Sequence, residues 1–83
     1  MDGASIASTG NLTLDSAADI ILDADGADVI FADGGTQYGF IANSSNDMVI
    51  KPMVQDKDLI IKGNDGGSTI TALTLDMSDG GAA

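Results

Sequence analysis

The chain repeats a short pattern: an Asp or Asn, an apolar residue, a middle residue, and a second apolar residue. It occurs as Asn11-Leu-Thr-Leu14, Asp19-Ile-Ile-Leu22, Asp28-Val-Ile-Phe31, Asp47-Met-Val-Ile50 and Asp58-Leu-Ile-Ile61, with a looser copy at Ala72-Leu-Thr-Leu75. Side chains alternate between faces along a strand. One face therefore collects Leu12 and Leu14, Ile20 and Leu22, Val29 and Phe31, Met48 and Ile50, Leu59 and Ile61, Leu73 and Leu75. The opposite face collects Thr13, Ile21, Ile30, Val49, Ile60 and Thr74. All six of these middle residues are β-branched, which suits strands. The four central ones are also apolar, so the central strands are expected to bury part of both faces. Strands at such spacing, with turn residues between them, read as an all-β fold. The first apolar positions (12, 20, 29, 48, 59 and 73) are irregularly spaced, and Tyr38-Gly-Phe40-Ile41 fills the wide gap. No strict solenoid period spans the chain.

Turn chemistry places the joints. Asp-Gly is a favoured pair for a two-residue hairpin turn. A hairpin on Asp25-Gly26 would pair Ala24 with Ala27, Leu22 with Val29, Ile21 with Ile30 and Ile20 with Phe31. It would also set Asp23 opposite Asp28, and like charges so placed are destabilising. Pro52 lacks an N–H and is expected to stop the strand ending near Lys51. Asn64-Asp-Gly-Gly67 reads as a turn leading to a strand that starts near Ile70, and Gly34-Gly35 and Gly80-Gly81 read as turns or bulges.

Composition sharpens this picture. All thirteen acidic residues are Asp; Glu and Arg are absent and Lys occurs three times, giving a formal charge of −10. Asp and Gly form turns and are poor helix residues. Eighty-three residues make one small β-rich segment, 1–83, and a lone core of that size is marginal. There is no Cys, so disulfides are excluded, and aromatics are confined to Phe31, Tyr38 and Phe40. Aliphatic strands that are apolar on both faces favour self-association, with several chains building one core. The ending Asp79-Gly-Gly-Ala-Ala reads as a cut through a longer chain.

The charge repels nucleic acid and anionic membranes. No apolar run approaches the roughly 20 residues of a membrane span, and no signal peptide is visible. His is absent as well as Cys, so Ser and Thr lack the usual activating base, and the Asp residues fall in turns and at strand ends. No catalytic residue is assigned, no enzyme activity is expected, and no cofactor is assigned. Calcium is the one candidate ligand, with Asp23, Asp25 and Asp28 as the candidate residues. Asp23-Ala-Asp25-Gly26 opens like an EF-hand loop, but its Gly falls early and no Glu follows. Gly63-Asn-Asp-Gly-Gly67 is similar to the calcium-binding nonapeptide of parallel β-rolls, but tandem copies are missing. Structural turns are the favoured reading of both.

Three stretches carry a family resemblance: GNLTLDSAADIILDADGADVIFADGGT (10–36), NSSNDMVIKPMVQDKDLIIKGNDGG (43–67) and ITALTLDMSDGGAA (70–83). Together they resemble repeat segments in the tail fibres and related virion structural proteins of bacteriophages, notably marine tailed phages. The resemblance covers most of the chain and is carried by the whole string more than by any one motif. It implies a long homotrimeric β-rich shaft, an intertwined β-prism or β-helix-like assembly, located in the virion. Such a shaft spaces a distal receptor-binding tip from the particle, serves host attachment and joins other fibre proteins. It supplies no catalytic residues. The expected trimer core is Leu12, Leu14, Ile20, Leu22, Val29, Phe31, Ile50, Leu59, Ile61, Leu73 and Leu75. The rival expectation is a non-viral extracellular filament or surface adhesin subunit, calcium-stabilised in one version.

Overall fold

The computed structural model describes residues 3–83. Among the described residues five antiparallel strands form two separate sheets. The first is a meander of β1 (Asp28–Asp33), β2 (Thr36–Ser44) and β3 (Asp47–Pro52). The second is a hairpin of β4 (Leu59–Asp65) and β5 (Ser68–Leu75), followed by a short 3-10 turn, Met77–Asp79. The β-rich class expected from the alternation is observed, and four of the six repeated tripeptides lie in strands. Pro52 closes β3, as its missing N–H requires.

The three hairpins share one device: two central residues with positive φ, the geometry whose twist matches that of the flanking strands. Gly34 (57°) and Gly35 (87°) join β1 to β2, and Gly66 (58°) and Gly67 (94°) join β4 to β5. Between β2 and β3 the same positions hold Ser45 (50°) and Asn46 (72°), residues for which this conformation is costly or tolerated, respectively. In two of the three hairpins an Asn carboxamide braces the loop. Asn46 N–H donates to Asn43 Oδ1 at 2.8 Å, and Gly67 N–H donates to Asn64 Oδ1 at 2.8 Å. The Gly63–Gly67 stretch is thus a strand end and its turn, and the Asn64 carboxamide is engaged in bracing that turn.

The expected hairpin on Asp25-Gly26 does not form. A tight turn is present there, with Ala27 N–H donating to Ala24 C=O at 2.9 Å, but no ladder follows it. Instead β1 pairs with β2: Asp28 faces Ala42, Val29 faces Ile41 and Ile30 faces Phe40. The physical reason is competition. The Gly34-Gly35 turn supplies two positive-φ residues without Cβ strain and leads into a nine-residue partner strand. The Asp25-Gly26 register would offer three apolar residues and an Asp23–Asp28 repulsion. The tripeptides Leu12–Leu14 and Ile20–Leu22 are therefore not strands; residues 3–23 contain neither strand nor helix.

The C-terminal end closes on itself. Asp76 caps the 3-10 turn, its carboxylate accepting from Ser78 N–H (3.2 Å) and Ser78 Oγ–H (2.8 Å). Gly80 and Gly81 then reverse the chain with positive φ, and Asp76 N–H donates to Ala82 C=O at 2.8 Å. The Met77 N–H donates to the Asp58 carboxylate at 3.1 Å, tying this loop to the entrance of β4.

Among the described residues none is buried, hydrophobic or polar. The surface area is 7174 Å². A compact monomer of 8.3 kDa is expected to expose about 4,600 Å². The radius of gyration is 16.1 Å, against about 12 Å for a compact domain of this length. The strands are paired but the sheets are uncovered.

Candidate functional site

The candidate functional surface is the apolar skin of the two sheets, and the registers assign its faces. In the meander one row across the three strands is Val29–Ile41–Ile50, flanked by Phe31–Gly39–Pro52 and by Met48. The opposite face carries Ile30–Phe40–Lys51 and Asp28–Ala42–Val49. In the hairpin Leu59 faces Leu75 and Ile61 faces Leu73, while Ile60 and Thr74 pair on the reverse side. Bulges interrupt both ladders, between Phe31 and Ala32 and between Ile61 and Lys62. Each bulge increases local twist. Apolar residues on both faces, as the alternation implied, are therefore a feature of the folded strands.

Exposure is similar on the two sides. Ile30 is 46% exposed and Phe31 41%; Ile60 is 47% and Ile61 50%. Of the expected core set, Val29, Phe31 and Ile50 share one face of the meander. Leu59, Ile61, Leu73 and Leu75 share one face of the hairpin. Leu12, Leu14, Ile20 and Leu22 lie outside any strand and are more than half exposed. Leu22 nevertheless borders a shallow depression of about 320 Å³ together with Val29, Ile41 and Met48, without pairing with Val29. The segment Tyr38–Ile41, which the sequence places in the wide gap between repeats, lies in β2, and Phe40, Ile41 and Ala42 join the central rows although the expected core omits them. Gly39 breaks the alternation signal of β2, and it does so because Lys51 C=O passes 3.2 Å from where its Cβ would stand.

Aromatic and cationic groups sit within these faces. The Phe31 and Tyr38 rings lie 6.4 Å apart beside the bulge. Lys51 Nζ stands 5.7 Å from the centre of the Phe40 ring, its neighbour in the row. This contact holds a cation over an aromatic face.

The three candidate calcium residues are not assembled into a site. Asp28 belongs to β1, facing Ala42, while Asp23 and Asp25 border an open depression with Leu22 and Asn43. Among the described residues no three acidic, His or Cys side chains converge as a metal-binding group. No described helix is long and apolar enough to cross a membrane. Comparison with known protein families, curated proteins and solved structures gave no match.

Proposed function

We propose that the chain is a structural segment of a homotrimeric virion tail fibre, spacing a receptor-binding element from the particle. The observation that carries the reading is the unburied surface. The chain exposes about 2,600 Å² more than a compact monomer of its mass. That excess falls in the range of obligate interfaces, about 2,000–5,000 Å² in total. Apolar residues on both faces of each sheet ask for covers on two sides, which an intertwined β-prism or β-helix-like shaft provides. The number three, the virion location and the shaft role rest on the resemblance of residues 10–36, 43–67 and 70–83 to phage fibre segments. The −10 charge keeps such a shaft soluble and disfavours nucleic acid and anionic membrane as partners.

A second reading, an extracellular filament or adhesin subunit, is favoured by the unpaired edges of β1, β3, β4 and β5. Open edges template open-ended polymers. The native mass separates the two. Light scattering coupled to size exclusion should give three times the chain mass, and electron microscopy should show discrete short rods. A stable folded monomer refutes both readings; open-ended polymers refute the trimeric shaft.

A further inference from the structure

Residues 8–23 contain two consecutive units of eight residues with the same local structure. In the first, Ser8 Oγ accepts from Gly10 N–H at 3.3 Å and donates to Asn11 C=O at 3.3 Å. In the second, Ser16 Oγ accepts from Ala18 N–H at 3.2 Å and donates to Asp19 C=O at 3.2 Å. Each corner is followed by an apolar tripeptide and an Asp: Leu12-Thr-Leu14-Asp15, then Ile20-Ile-Leu22-Asp23. The sequence spacing of the whole chain is irregular, but these two units are matched atom for atom at their corners. The next tripeptide, Val29-Ile30-Phe31, does become a strand, because β2 supplies its partner.

Resting on the assembled reading above, we infer that residues 8–23 are the segment through which copies of this chain pack against one another, leucine side to leucine side, in parallel and held in register by the eight-residue unit. Three observations support this. First, among the described residues, residues 3–23 make no backbone–backbone hydrogen bond, so no intrachain strand covers either tripeptide. Secondly, Leu12, Leu14, Ile20 and Leu22 are 56%, 61%, 52% and 64% exposed, which places part of the excess surface here. Thirdly, the occupant must repeat at the same eight-residue interval with the same corners. A second copy of the chain meets that condition by construction. It also meets the area requirement, because every copy carries the same excess.

Charge does not oppose the arrangement. In a strand, Asn11, Thr13 and Asp15 share one side, as do Asp19, Ile21 and Asp23. Leu12, Leu14, Ile20 and Leu22 occupy the other side, which is free of carboxylates. Copies meeting through the leucine side keep their Asp residues outward, where water and salt screen them.

Two deletions in the full chain test phase against mere length. Removing residues 16–23 takes out one whole unit and leaves an Asp–Ala junction like the native Asp23–Ala24. Removing residues 16–19 takes out half a unit and one corner. Neither touches a strand, so circular dichroism of the two sheets reports folding independently. The whole-unit deletion should keep the native copy number with a lower melting temperature. The half-unit deletion should weaken assembly at least tenfold. Because the chain has no Cys, single thiols report proximity cleanly: Leu14→Cys should form interchain disulfides under mild oxidation and Thr13→Cys should not. If the intact chain is a monomer, the assembled reading itself fails. If the intact chain assembles and the half-unit deletion assembles equally well, or Thr13→Cys cross-links as readily as Leu14→Cys, this inference alone is overturned.

Discussion

The sharpest consequence of the fold concerns Ile60 and Ile61, adjacent residues on opposite faces of β4. Both are about half exposed in the single chain, 47% and 50%. Full burial of an Ile side chain contributes roughly 1.5–3 kcal/mol, so covering the remaining half contributes about 1 kcal/mol at each position. In a trimer the loss is incurred three times, giving about 3 kcal/mol for Ile60→Ala and a similar figure for Ile61→Ala. At 1.4 kcal/mol per decade that is about a hundredfold in the assembly constant. Ile60→Asp and Ile61→Asp should be more severe, because an unpaired carboxylate withdrawn from water costs several kcal/mol more per copy. Sedimentation equilibrium across a concentration series measures the effect. The expected result is equal damage from the two positions. If Ile61→Asp dissociates the assembly while Ile60→Asp leaves it intact, the Ile60 face looks onto water and two-sided burial is refuted. In residues 8–23 the leucine-side packing predicts unequal damage instead: Ile20→Asp should weaken assembly far more than Ile21→Asp.

Other outcomes follow from the turns and the charge. Gly66→Val places a β-branched residue at φ 58° and should cost about 1–2 kcal/mol, read as a lower denaturant midpoint. Ser45→Gly relieves a non-glycine residue at φ 50° and should raise the midpoint by up to about 1 kcal/mol; an unchanged or lower midpoint would argue against strain there. Melting temperature should rise with NaCl between 0.01 and 0.15 M, as the Debye length falls from about 30 to about 8 Å. Calcium should add nothing beyond a NaCl control of matched ionic strength; a large calcium effect lost in Asp23→Asn/Asp28→Asn would establish a specific site. The purified segment should show no glycan hydrolysis; saturable turnover abolished by one Asp→Asn change would refute a purely mechanical role.

Much of the strand content was legible because alternation is a local signal. Val29–Phe31, Met48–Ile50, Leu59–Ile61 and Leu73–Leu75 are strands with the expected facing, and Gly34-Gly35 and Gly66-Gly67 are turns. What local pattern does not carry is the choice of partner. Asp25-Gly26 reads as a hairpin turn and Gly34-Gly35 as a turn or bulge, and only the strand beyond each decides between them. The second leads to β2, whose Phe40 and Ile41 meet Ile30 and Val29. For Leu12–Leu14 and Ile20–Leu22 the pattern was just as clear, yet no strand forms. A strand is defined by a neighbour, and within one chain these tripeptides have none. Ile41, placed in the wide gap, was left out of the expected core, and Ala42 was missed, for the converse reason. Gly39 and Tyr38 blur the alternation of β2 in sequence, although its pairing with β1 and β3 makes it the centre of the sheet.

The corners at Ser8 and Ser16 bear on how such a chain avoids collapsing on itself. A short apolar strand with free edges pairs with whatever is near, and within one molecule the nearest candidate is the next tripeptide. An antiparallel hairpin between Leu12–Leu14 and Ile20–Leu22 would need the intervening Asp15–Asp19 loop to reverse fully. Instead each Ser hydroxyl satisfies a local N–H and a local C=O at the corner, removing the groups that a tighter reversal would use. Asp15 and Asp19 add repulsion within that loop, and Asp23 and Asp28 act likewise against the hairpin on Asp25-Gly26. Intrachain closure is thereby disfavoured at both joints by the same means, a satisfied corner or a like-charge pair. In the proposed assembly, partnering is then left to a neighbour from another chain, which needs no such reversal. On this argument the acidic residues direct the N-terminal third toward association while keeping its outer side wet. Replacing Asp15, Asp19, Asp23 and Asp28 with Asn together should therefore increase intrachain pairing and monomer content at low salt, visible as a smaller mass in light scattering. An unchanged or larger mass would show that charge only solubilises the assembly and plays no part in choosing its partner.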